Sequence, residues 1–209
     1  PPVFGKETSR GAPRRFAFAS LLSATGFFVA RKMILLLTGE SGCGKTTLCA
    51  RVAAELRARA LDVAGVLTLP RFANGEKIGM DVADVRTGAR IALAERAPRG
   101  AGTADLKWKF DDAALARGEH ILRAATPCDV LIVDELGPLE LVYGAGWLVA
   151  LDVLQTQNYR HALVVVRPAL VENFCARVKA KTRIVALTTA NRAEIFDHII
   201  TSITQSPNQ

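Results

Sequence analysis

Apolar residues in this chain gather into short continuous runs separated by amphipathic stretches, and that rhythm predicts most of its elements. Met33–Thr38, Val63–Leu69, Val130–Val133, Ala162–Val166 and Ile184–Leu187 are runs of strand length, apolar at almost every position. Such runs suit strands covered on both faces, as in a parallel sheet. Lys45–Ala60 places Leu48, Val52, Ala53 and Leu56 near helical spacing with arginines opposite, which predicts a helix. Further helices are predicted over Ala113–Ala125, Ala145–Thr156, Leu170–Lys179 and Ala193–Ile203. Asp111 or Asp112 can cap the first of these, and Pro127 ends it.

One region breaks the alternation. Pro70 is expected to close the second strand, after which Asn74-Gly75 gives a hairpin signal and Thr87-Gly88 a second turn. Between the turns Ile78, Met80, Val82 and Val85 approach strand alternation, and Arg90–Ala94 would be the antiparallel partner. A β-meander is therefore expected where a simple α/β protein has another crossover helix. Residues 97–105 are rich in Gly, Ala and Pro and read as a loop, followed by a short strand over Lys107–Phe110. Trp108 reads as a core or edge aromatic rather than a base-stacking platform. The whole predicts an α/β, mostly parallel sheet flanked by helices, with its ligand crevice at the carboxyl ends of the strands.

Composition narrows this. With 209 residues, half of them hydrophobic, the chain is expected to be one domain with small appendages, neither disordered nor fibrous. The net charge of +7 suggests nucleic acid until it is located. Residues 1–32 hold six basic side chains against the single acid Glu7, so five of the seven charges belong there. The remainder is close to neutral, and no nucleic-acid partner is required. The four cysteines, Cys43, Cys49, Cys128 and Cys175, show no metal-binding spacing, which fits reduced thiols and a cytoplasmic protein. Arg14-Arg15 followed by the apolar Phe16–Ala30 imitates a signal peptide, but the run is too short for stable membrane insertion. Met33 opens directly into the first strand. Residues 1–32 are therefore read as a dispensable extension, with an export signal as the alternative, and residues 33–209 as the working domain.

The first candidate chemistry follows the first strand. Gly39-Glu40-Ser41-Gly42-Cys43-Gly44-Lys45-Thr46 satisfies G-x-x-x-x-G-K-[ST] in full. Glycines let the backbone wrap a phosphate chain, and inward N–H groups with a helix N-terminus bind the anion. Lys45 would reach the β- and γ-phosphates, Thr46 would place a hydroxyl on Mg²⁺, and Thr47 continues the binding segment. A chance glycine-rich turn is the bland alternative, and the strand before and helix after the motif count against it.

The second stretch is Val130–Val133, which delivers Asp134-Glu135 at its carboxyl end. In the Walker B pattern one carboxylate holds Mg²⁺ through its water shell and the next orients and deprotonates the attacking water. Alone, such a run is often just a strand end reaching solvent; behind a complete phosphate loop it reads as catalytic.

With Gly39–Thr47 and Asp134-Glu135-Leu136-Gly137-Pro138-Leu139-Glu140-Leu141 in view, the chain resembles the small P-loop nucleoside triphosphatases of the thermophile and human cancer-related type. In that family the Walker B strand runs into Asp-Glu, an aliphatic residue, Gly, two further residues, then Glu-Leu. Gly65-Val66-Leu67-Thr68, the Asn74-Gly75 turn and Asn191-Arg192 fit as well. The resemblance covers residues 33 to about 200. It implies a P-loop NTPase with a RecA-like core, using Mg²⁺ to hydrolyse nucleoside triphosphates, ATP and GTP included.

The leading expectation is thus a nucleoside triphosphatase in which Lys45 and Mg²⁺ neutralise the γ-phosphate. Thr46 and Asp134 anchor the metal, and Glu135 activates water. Arg167, at the end of a buried strand, would act as a sensor or cis arginine finger; a surface arginine before Pro168 is the equal alternative. Glu140 is expected to fix the loop after Walker B. Asn191 and Arg192 flank the base or, more simply, Asn191 caps a helix. A metabolite kinase with Arg96 or Arg99 in a lid is the second function. A nucleotide switch is the third, although no N-K-x-D guanine-reading motif occurs in the chain. No protein partner is legible.

Overall fold

The computed structural model describes residues 32–97, 108–156 and 158–205. The expected extension apart from Lys32, the loop beyond Ala97, Arg99 and Lys107 lie outside these residues. Among the described residues eight strands are formed: β1 Met33–Thr38, β2 Val63–Ala73, β3 Glu76–Asp84, β4 Arg90–Arg96, β5 Trp108–Phe110, β6 Cys128–Leu136, β7 Tyr159–Val166 and β8 Thr182–Ala186. The helices among the described residues are α1 Lys45–Ala58, α2 Asp112–Ala124, α3 Pro138–Leu141, α4 Val149–Thr156, α5 Val171–Arg177 and α6 Arg192–Thr204, with a 3₁₀ turn at Pro168–Leu170.

One sheet runs β5-β4-β3-β2-β6-β7-β1-β8. The pairs from β2 through β8 are parallel, whereas β2, β3, β4 and β5 pair antiparallel. The meander therefore extends the edge of the parallel sheet. The apolar runs explain the layering: Ile34 and Leu36 enter one core while Leu35 and Leu37 enter the other, as period-two alternation requires. α1 and α6 cover the Leu35 side, and α2, α4 and α5 cover the Ile34 side. Each large aliphatic side chain buried this way contributes about 1.5–3 kcal/mol.

Of the boundaries that differ from the sequence expectation, three bear on the architecture. β2 continues through Pro70 to Ala73, because its pairing with β6 stops at Val66 and only β3 continues alongside. A proline without an N–H is tolerated on such a one-sided strand. α4 starts at Val149 rather than Ala145, because Gly144 and Gly146 take positive φ of 65° and 66° and lead the backbone out of the helix. β8 starts two residues earlier than expected and pairs only with β1.

The strand order has a consequence for the site. β7 lies between β1, which carries the phosphate loop, and β6, which carries Asp134. Arg167, the residue that follows β7, is thereby placed between the two motifs.

Candidate active site

The phosphate loop joins β1 to α1. Gly44, the residue before α1, has φ +99°, a conformation that glycine adopts without strain. Lys45 Nζ donates to the carbonyls of Gly39 at 2.6 Å and Glu40 at 2.8 Å, and lies 3.9 Å from Cys43 Sγ. The ammonium is thus held inside the loop by its own backbone. Arg192, the first residue of α6, donates from Nε to the Cys43 carbonyl at 2.8 Å and braces the loop from outside. Arg51 lies over the Phe196 ring at 4.6 Å, so α1 and α6 are also joined beside the loop.

Asn191 does not cap α6 with its side chain. Its Oδ1 accepts from Thr188 N at 2.8 Å and its Nδ2 donates to the Ala186 carbonyl at 3.1 Å. Those bonds tie the β8–α6 connection and replace the simpler capping expectation.

Asp134 is buried at the end of β6 and meets two elements. Its Oδ1 accepts from Thr46 Oγ1 at 3.3 Å and its Oδ2 from the Thr68 backbone N–H at 3.2 Å. Thr68 Oγ1 also donates to the Asp134 carbonyl. Burial pushes the Asp134 carboxyl up to about 7, against the lowering pull of the bonds from Thr46 and Thr68. A buried carboxylate beside a hydroxyl is a hard-oxygen pair that fits a Mg²⁺ held mostly by phosphates and water. Among the described residues no cluster of three or more His, Cys, Asp or Glu side chains is placed to hold a metal. Cys49, fully buried nearby, has its thiol pushed well up by burial and is inert there.

Glu135 occupies a β-bulge, since Asp134 pairs with Val165 and Leu136 with Val166. A bulge re-aims the extra side chain, and Glu135 Oε1 accepts from Arg167 Nε at 2.5 Å. Arg167, at the end of a buried strand as expected, is half exposed and pairs with the second carboxylate. Glu140, 5 % exposed, accepts from the backbone N–H of Gly137 and of Trp147, both at 3.0 Å. It fastens the chain after β6, and burial raises its carboxyl.

The structure therefore brings Thr46 to Asp134 and Arg167 to Glu135. Sequence reasoning missed the role of Thr68, although the Gly65–Thr68 spacing had marked the segment, and it missed Lys77. Burial lowers the Lys77 ammonium, with Glu135 pulling the other way.

A parallel sheet with a phosphate loop after one strand and paired carboxylates at the end of another defines a P-loop nucleotide-binding domain. A family model described as NTPase matches residues 34–200, and the chain belongs to that NTPase family. The nucleoside-triphosphatase THEP1 of Pyrococcus abyssi is 31 % identical over 175 residues, covering 82 % of this chain and 92 % of the relative. That of Methanopyrus kandleri is 36 % identical over 107 residues, covering 51 % of this chain and 59 % of the relative. The matched part thus spans somewhat under two thirds of the latter's length. The solution structure of a human cancer-related nucleoside triphosphatase superposes with a TM-score of 0.64 at 22 % identity, over 84 % of this chain and all of that one. The crystal structure of THEP1 from Aquifex aeolicus gives 0.55 at 19 %, over 82 % and 99 %. These two likenesses speak to the fold. No helix among the described residues is long and apolar enough to cross a membrane.

Proposed function

We propose that the protein is a Mg²⁺-dependent nucleoside triphosphatase that hydrolyses ATP and GTP, with broad base tolerance, to the nucleoside diphosphate and phosphate. The observation that carries this reading is the Thr46–Asp134 hydrogen bond, which couples the phosphate loop to β6 with Glu135 next in the chain. The names of the relatives support it.

The loop from Gly39 to Thr47 wraps the phosphates with its N–H groups and the α1 N-terminus. Lys45 exchanges its bonds to the Gly39 and Glu40 carbonyls for phosphate oxygens. Thr46 and Asp134 would hold Mg²⁺, whose chemistry when bound is to neutralise charge on those oxygens. Glu135 takes a proton from the attacking water, and Arg167 fixes the orientation of that carboxylate. Arg192 positions the loop through the Cys43 carbonyl, and Asn191 positions α6. Residues 33–209 form the working unit, so a protein beginning at Met33 keeps its turnover. Free Cys43, Cys49, Cys128 and Cys175 support a cytoplasmic setting, and the near-neutral domain supports a substrate that needs no nucleic acid.

A phosphate-release panel across ATP, GTP, CTP, UTP and the deoxynucleotides, with Mg²⁺ or with EDTA, tests this. Similar turnover of ATP and GTP, lost in EDTA, is expected. Turnover confined to guanine nucleotides contradicts the broad base tolerance, and turnover unaffected by EDTA removes the metal.

A further inference from the structure

Asp134 and Glu135 serve different sides of the sheet. Val130 and Ile132, in step with Asp134, face α1, whereas Leu131 and Val133 face α2 and α4. On this second side Glu135 lines a cavity of about 190 Å³ that also reaches Arg167, Lys77 and Thr68. Its apolar wall includes Trp108, Phe110, Trp147, Met80 and Leu93. The wall is preorganised: Trp147 Nε1 donates to the Leu115 carbonyl at 2.9 Å, and Glu140 holds the Trp147 backbone. Lys77 Nζ lies 5.0 Å from the centre of the Trp108 ring and has no ion-pair partner among the described residues. Hydrolysis needs none of this aromatic lining.

The size and lining select a ligand. An apolar cavity of about 150 Å³ suffices for benzene, so this one takes a single ring with a short substituent. Aromatic walls favour an aromatic body, while Glu135, Arg167 and Lys77 offer polar partners on one side. We propose that the cavity binds a small single-ring aromatic alcohol whose hydroxyl accepts the γ-phosphoryl group in place of water. The proposal rests on the nucleotide reading above. In the transfer the bond from the acceptor oxygen to the γ-phosphorus forms and the bond from that phosphorus to the β,γ-bridging oxygen breaks. The hydroxyl proton passes to Glu135, and the nucleoside diphosphate leaves with the electron pair.

Both tryptophans of the chain line this cavity, so intrinsic fluorescence of the full chain reads its occupancy. The probes are benzyl alcohol, pyridylmethanol and toluene, which lacks the acceptor. All three should change the emission saturably without nucleotide. With ATP and Mg²⁺, phosphorus NMR should then show a phosphomonoester for the two alcohols and only inorganic phosphate for toluene. Leu115→Phe narrows the cavity away from the phosphate loop; it should abolish the emission change and the ester while phosphate release persists. Leu139→Phe serves the same purpose if the first variant does not fold. Emission unaffected by every probe overturns the site. Emission that responds while only inorganic phosphate appears overturns the acceptor role, as does ester formation at an undiminished rate in the filled variants. Absence of ATP turnover without any probe is a failure of the hydrolase reading instead, and the nucleotide-free titration still decides the cavity.

Discussion

On one side of β2 the sheet is parallel, its inner strands β1, β6 and β7 are largely buried on both faces, only the edge strand β8 exposes Ile184, and the phosphate loop, Asp134 and Glu135 sit at its carboxyl ends. On the other, β3, β4 and β5 run antiparallel, and Phe72 at the end of β2, Ile78 on β3 and Ile91 on β4 stay exposed. The parallel side draws its cohesion from apolar burial and keeps its polar groups for the strand ends. The meander relies more on polar clamps. Arg86 donates to both Asp62 carboxylate oxygens, at 3.1 and 2.7 Å, and to the carbonyls of Ala124 and Ala125 at 3.0 and 3.1 Å. Parallel strands place their ends side by side and so collect chemistry, whereas an antiparallel extension adds a wall to that chemistry without joining it.

That contrast can be broken most severely at Lys45. Lys45→Ala should lose about 10³-fold or more in phosphate release, as expected for removing a charged group from the developing phosphate charge, with unchanged circular dichroism. Glu135→Gln should lose about 10²–10⁴-fold, the range for a general base, while nucleotide still binds in a filter or fluorescence assay. Arg167→Ala should lose about 10²-fold in kcat with little change in KM, as expected of a group that orients Glu135; a pure KM effect would instead place Arg167 on the substrate. On the meander side, Arg86→Ala should cost about 1–2 kcal/mol in urea unfolding, its charged hydrogen bonds being partly screened by solvent. Its turnover per folded molecule should not change; if it falls, the meander shares in the chemistry after all.

A pH dependence of stability sharpens the distinction from within. Asp134 is raised from 3.8 to about 7 in the folded chain, so between those values the folded state holds a proton that the unfolded state has released. Stability without metal should therefore fall as pH rises from about 4 to about 7. Asp134→Asn should flatten that slope in urea titrations, and Arg86→Ala should leave it as it is.

Much of the parallel side was legible from the chain. β1, α1 and the core of β6 follow from apolar periodicity, and the phosphate loop from a contiguous pattern whose geometry is local. The meander's turns were legible at Asn74-Gly75 and Thr87-Gly88, because turn chemistry is local too. Pro70 misled, since whether a strand tolerates proline depends on how many neighbours it has at that level. Ala145–Leu148 misled because helical spacing says nothing of Glu140 reaching the Trp147 N–H.

By itself, then, the sequence determined a complete phosphate-loop pattern between β1 and α1 and two carboxylates that follow a buried strand. Each of these is written in residues adjacent along the chain. Only the tertiary structure decided what those carboxylates meet. Thr68 reaches Asp134 across 66 residues and Arg167 reaches Glu135 across 32. Both contacts depend on β2 and β7 flanking β6, and strand order is set by how the two cores pack rather than by the period of any one strand.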